Sequence, residues 1–126
     1  MTESISHLGT FEFFEGYFIG RIDDGVNAGK EHLQELSSLI EKYYSGAPTI
    51  YISDRVHSYS IDPIATQNLI ANSNIAYAAV VLHSSDQEKS YPLEKIMISN
   101  VKLEQFHNLE NAVTWAKTKH CGLKMQ

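Results

Sequence analysis

The chain has a single cysteine, Cys121, so no intrachain disulfide holds it, and the thiol reads as a tail residue. None is needed at 126 residues, because a chain of this size buries roughly two-thirds of its unfolded surface in one domain without staples. Long apolar runs are missing too. No stretch approaches the ~18 apolar residues of a membrane span, and Met1 to His7 shows no basic region followed by an apolar one, which predicts a cytoplasmic protein without a signal peptide. Basic charge is scarce: ten Lys and Arg stand against fifteen Asp and Glu, a net charge of −5, with no concentrated Lys/Arg face. That argues against a nucleic-acid partner, since phosphate neutralisation needs such a face.

Chemical motifs are equally sparse. Gly16, Gly20, Gly25 and Gly29 form no Gly-x-Gly-x-x-Gly cradle after a parallel strand, and turn and cap duty explains them, so no cofactor is expected. Six histidines, at 7, 32, 57, 83, 107 and 120, show neither His-x-His nor His-x-x-x-His spacing, and no metal is expected. A hydrolase triad assembled from Ser58 or Ser60, His83 and Asp62 lacks the Gly-x-Ser-x-Gly elbow that would hold a serine exposed, and no catalytic residue is assigned. One convergence has a topological reason. His57 and His83 fall just beyond the carboxyl ends of what read as adjacent strands, where α/β folds place ligands; with Asp54 and Asp86 they would make a polar site, or else stand in separate solvated loops.

What is present is an alternation of strand and helix signals. Thr10 to Phe14 and Tyr17 to Ile22 are aromatic and β-branched runs around Glu15-Gly16, which predicts a hairpin. Asn27 offers a cap to a helix reaching about Tyr44, with Leu33, Leu36, Ile40, Tyr43 and Tyr44 on one side. Thr49 to Ser53 reads as a strand, and the segment from Asp54 to Ile61 as polar and irregular. Asp62-Pro63 signals a helix start, with Ile64, Ala65, Leu69 and Ile70 as its apolar face. Ile75 to Leu82 is apolar nearly throughout, as befits a central strand covered on both faces. Ser84 to Ser90 reads as a loop or helical lead-in, and Leu93 to Ile98 as a turn or two of helix after Pro92. A strand at Lys102 to Phe106 and a helix from Asn108 close the chain, with Leu109, Ala112, Val113 and Ala116 as its stripe. The prediction is a single α/β domain of order ββαβαβ(α)βα: a mixed sheet of about five strands, about four helices mainly on one face, and parallel pairing for the later strands.

This order, with the closing run Phe106-His107-Asn108-Leu109-Glu110-Asn111-Ala112-Val113-Thr114-Trp115-Ala116-Lys117, resembles the STAS domain and more closely its SpoIIAA-like branch, with fold kinship to CRAL-TRIO lipid-binding domains. The resemblance spans about Leu8 to Lys119. It implies a non-enzymatic regulatory or protein-interaction module. In sporulation anti-sigma-factor antagonists of this fold, a serine at the helix start after the central strand is phosphorylated, adding a charge of about −2. Ser60 stands nearest that place here and Ser58 second, while Asp62-Pro63 replaces the family's small residues and glycine. Asp54, Arg55, His57, Tyr59 and Asp62 would then form the partner-binding loop. The CRAL-TRIO kinship implies an alternative, a carrier or sensor of a small apolar or lipid-like ligand. Its groove would be lined by Leu69, Ile70, Ile96 and Met97, with Tyr77 or Tyr91 as a polar handle. The aromatic excess (Phe11, Phe13, Tyr17, Tyr51, Tyr77, Tyr91, Phe106, Trp115) reads as core under the helices, or else as a groove or subunit interface. In the latter case the open edge of the N-terminal hairpin would seat a homodimer.

Overall fold

The computed structural model describes residues 1–5, 7–57, 59–98 and 100–124, with the side chains of Ser60, Ile61, Met97 and Lys124 left aside. It opens on an antiparallel meander of β1 (Thr2–Ile5), β2 (Gly9–Phe13) and β3 (Tyr17–Ile22). The first of these strands is unannounced in the sequence, because only Ile5 of the four residues is buried and no apolar alternation marks it. Backbone pairing and three polar ties hold it instead. Glu3 accepts hydrogen bonds from Lys42 Nζ (3.0 Å) and the Tyr43 hydroxyl (2.7 Å), and the terminal amine donates to Phe13 O. The edge expected to be open on β2 is therefore occupied by β1. Gly16 turns the β2–β3 hairpin at φ 81°, and a side chain there would run into the His120 ring.

Two short strands, β4 (Asn27–Ala28) and β6 (Ser60–Ile61), pair with each other in parallel. This corrects the reading of Asn27 as a helix cap: Asn27 belongs to β4, and the cap of α1 (Lys30–Tyr44) is Gly29, with no side-chain hydrogen bond. Leu33, Leu36 and Ile40 are the buried stripe of α1, and each fully buried side chain of this size contributes about 1.5–3 kcal/mol. After β5 (Thr49–Asp54), Asp62 caps α2 (Pro63–Asn72) as its sequence announces, its Oδ1 accepting from Ile64 N and Ala65 N. β7 (Ile75–Val81) follows. Next, α3 (Ser85–Met97) starts under the Ser84 hydroxyl and continues through Pro92, so Pro92 costs the helix a backbone donor without delaying its start. β8 (Lys102–Phe106) and α4 (Leu109–Lys124) complete the chain.

The main sheet has six strands in the order β1-β2-β3-β5-β7-β8, and β3, β5, β7 and β8 run parallel. The sheet has six strands where about five are expected, and three of the four helices lie on one face, as expected, with α4 on the other. The central strands are apolar on both sides, so both need cover. Helices α1, α2 and α3 lie over the face that carries Phe18, Tyr51, Ala78 and Val80, while Ala112 and Ala116 of α4 meet Tyr17, Ile19, Ile50, Ile52, Ala79 and Val81 on the other. The aromatic residues of the hairpin stack into the first of these cores, Phe13 on Tyr43 at 4.3 Å and Phe18 on Tyr51 at 4.8 Å. The Tyr44 hydroxyl reaches the Phe14 and Tyr17 carbonyls, and burial pushes its ionisation up to about 12.

Candidate functional site

At the carboxyl end of β5 the strand alternation sends two neighbouring charged residues to opposite faces. Ile50, Ile52 and Asp54 share the α4 face, whereas Arg55 bonds back to Ser53 on the other. Each becomes the centre of a polar system.

Asp54 is buried, with 5% of its side chain exposed. Its Oδ2 accepts from Arg21 Nε at 3.0 Å, and its Oδ1 lies 2.6 Å from His83 Nε2. Arg21 also reaches Glu12 Oε1 through Nη1 at 3.4 Å. An ionised carboxylate offers only acceptors, so the short contact makes His83 Nε2 the donor and leaves Nδ1 with its lone pair. The His83 side chain is 39% exposed, which puts that nitrogen within reach of solvent. The ring's backbone is fixed as well: His83 N donates to Gln87 Oε1, and Gln87 Nε2 donates to Arg55 O, both at 2.8 Å.

The Arg55 system is closed. Its Nε donates to Ser53 Oγ at 2.8 Å, Nη1 to Glu94 Oε2 at 3.0 Å, and Nη2 to Glu94 Oε1, a two-pronged pair with 15% and 14% of the two side chains exposed. The Tyr59 hydroxyl sits 2.9 Å from Ser53 Oγ, with its ring under the guanidinium. Burial works against the Arg55 charge, yet Tyr59 and Glu94 outweigh it and hold the group above its ordinary value. Burial likewise raises Tyr59 and Tyr51.

Of the convergence expected from sequence, His83 and Asp54 meet. His57 and Asp86 are exposed, and neither joins them through a described hydrogen bond. In the partner-binding loop, Asp54, Arg55 and Tyr59 spend their polar atoms internally and the exposed Asp62 caps α2 through Oδ1, while His57 and Val56 project. Ser58 lies outside the described residues. Ser60 contributes its backbone to β6, and its side chain is outside them too. Of the triad of Ser58 or Ser60, His83 and Asp62, the two described side chains are engaged elsewhere, Asp62 capping α2 and His83 bonding to Asp54.

The apolar groove is not assembled either. Leu69 and Ile70 face the core under α2, Tyr77 lies on the opposite face against Trp115, and Tyr91 is sealed under α3 with its hydroxyl 3.3 Å from Leu103 O. Ile96 is 74% exposed, and the Met97 side chain is outside the described set. Alternation along β7 and the separate helix faces send these residues to different clusters. A cleft of about 140 Å³ does open between α1 and α2, lined among others by Lys30, Leu33, Ser37 and Asn68, against the ~300 Å³ at which small-molecule pockets begin.

Sequence reading missed Arg21, Glu12, Gln87 and Glu94. Arg21 gave a signal, being the one charge in the run Tyr17–Ile22. Glu94 gave none, since it stands beside Lys95 as one of two ordinary charges in a helix read as short. Among the described residues no group of three or more His, Cys, Asp and Glu is placed to hold a metal ion, and no helix is long and apolar enough to cross a membrane. Comparisons with protein families, with curated proteins and with solved structures found no match to the chain.

Proposed function

We propose that the protein is a non-enzymatic regulatory or protein-interaction module of the SpoIIAA-like/STAS type, docking a protein partner through residues 53–63 and the start of α2. The observation that carries this reading is the way the segment after β5 is held. Arg55 and Tyr59 anchor its base to Ser53 and Glu94, and Asp62 anchors its far end to α2, so Val56 and His57 project from a fixed frame. Ile64, 72% exposed in the first turn of α2, supplies apolar surface nearby in the chain. A preformed loop with an exposed tip binds with less ordering cost than a free one.

The alternative, a small apolar ligand, has only the cleft between α1 and α2 to support it. The test is affinity capture from the native cell with the full chain, run beside Val56→Asp and Ile64→Asp variants and with and without phosphatase. A partner retained by the wild type and lost from both variants is the expected result. Equal recovery by wild type and variants, or no partner at all, overturns it.

A further inference from the structure

We propose that His83 is a phosphoryl-acceptor site, with Nδ1 as the attacking atom. The proposal deepens the regulatory reading, and rests on it only for the use the cell makes of the modification.

Three features single out this imidazole. Asp54 Oδ1, 2.6 Å from Nε2, fixes the tautomer and places the lone pair on Nδ1. Arg21, on the other carboxylate oxygen, keeps Asp54 an acceptor. A buried carboxylate behind an imidazole also fixes the orientation of the ring, as it does for metal-bound histidines. Exposure is split accordingly, 5% for the Asp54 side chain and 39% for His83, so the orienting group is sheltered and the reacting one is open. Among the described residues, Nδ1 has no hydrogen-bond partner and no Ser or Cys hydroxyl or thiol bonds to the ring. The imidazole is here the nucleophile itself rather than the base for another group.

The other histidines serve as internal controls. His7 and His57 are exposed, with no carboxylate bonded to them among the described residues. His107 uses its Nδ1 on Glu88 at 3.2 Å, and both side chains lie largely in water. His32 and His120 carry buried ring nitrogens.

The surroundings suit a transferred phosphoryl group at two points. Arg21 shares the Asp54 carboxylate with His83, its side chain 27% exposed. His83 also directly precedes Ser84, the cap of α3, whose amino end favours negative charge. Asp86 and Glu88 in the first turn oppose retention, so the rate of transfer is the quantity to read, rather than final occupancy. With a phosphoramidate donor, Nδ1 attacks phosphorus, an N–P bond forms, and the donor's P–N bond breaks with its electron pair leaving on ammonia. The Nε2 proton stays in the hydrogen bond to Asp54, which balances the charge of the phosphoimidazolium.

The experiment treats the full chain with ammonium phosphoramidate at neutral pH and follows each histidine by mass spectrometry without acid steps. Initial modification of His83 should exceed that of His57 and His7 about tenfold, and Asp54→Asn should remove that advantage while leaving His57 unchanged. Modification of His83 no faster than His57 in the wild type overturns the proposal, with no dependence on how a variant folds. An Asp54→Asn chain that keeps native circular dichroism and the wild-type rate at His83 overturns the role of Asp54. Neither result touches the partner-capture outcome, which reads Val56 and Ile64.

Discussion

Asp54 and Arg55 are consecutive residues at the end of one strand, and the polar systems around them differ in kind. Around Arg55 the donors are matched by Glu94 and Ser53, Tyr59 closes the side, and both members of the ion pair are nearly enclosed. Around Asp54 the carboxylate is enclosed while its partners are not: Arg21 is 27% exposed and His83 39%. A matched, buried pair strongly resists loss of one member, because the survivor is left as an uncompensated charge. A buried acceptor with half-open donors keeps one partner when the other is lost, and leaves the His83 ring partly in solvent. The first arrangement serves to hold a loop, the second to present a group.

Alkaline pH should strain the closed side most, because it acts on several residues together. Tyr51 and Tyr59 are raised by burial, and Tyr44, elsewhere in the same core layer, is raised to about 12. Unfolded tyrosines release their protons near ~10. The folded chain therefore binds more protons above that pH, and stability that is intact below it falls as pH climbs from about 10 towards 12. The main rise in tyrosinate absorbance should coincide with loss of circular dichroism. Absorbance rising fully near pH 10 on a native spectrum would show that these hydroxyls are not enclosed.

Removing one partner of the closed pair comes next. Glu94→Ala should cost about 3–5 kcal/mol in urea unfolding, and the double change Arg55→Met with Glu94→Met should recover most of it. A loss under about 1 kcal/mol would place the pair among surface ion pairs and erase the contrast. On the open side, His83→Ala should cost less, about 1–3 kcal/mol, since Arg21 still pairs with Asp54. A thermal melt compared directly with Glu94→Ala decides whether the two systems differ as described.

The smallest effect is expected at Glu3, where the Tyr43 hydroxyl and Lys42 hold the carboxyl below its ordinary value. The stabilisation from this contact is present above pH ~4.5 and is lost as pH falls through the folded value. Glu3→Gln should speed amide exchange in β1 at neutral pH and leave β5 unchanged. Equal protection of β1 in the variant would mean that backbone pairing alone holds the strand.

Much of this architecture is legible in local patterns. The Asp62-Pro63 start of α2, the apolar run of β7 and the stripe Leu109, Ala112, Val113, Ala116 each stand in the sequence as they stand in the fold. Local reading failed where a signal was missing or ambiguous. β1 carries no alternation, Asn27 has a cap's chemistry but a strand partner in Ser60, and Pro92 looks like a boundary inside a helix that tolerates it. The candidate site was half legible, Asp54 and His83 being placed by the rule that ligands gather at strand ends, with Arg21 and Glu94 unseen.

The sequence by itself determined the alternation of the later strands and helices, their parallel pairing and the α/β class, because these follow from periodicity and caps within a few residues. Tertiary structure alone decided that α4 crosses to the far face, that Asp54 and Arg55 part company, and that His83 stands before a buried carboxylate. The contacts responsible join residues 33, 29 and 39 positions apart, Arg21 to Asp54, Asp54 to His83 and Arg55 to Glu94. No spacing rule along the chain reaches that far; strand register and the face to which each side chain points bring them together.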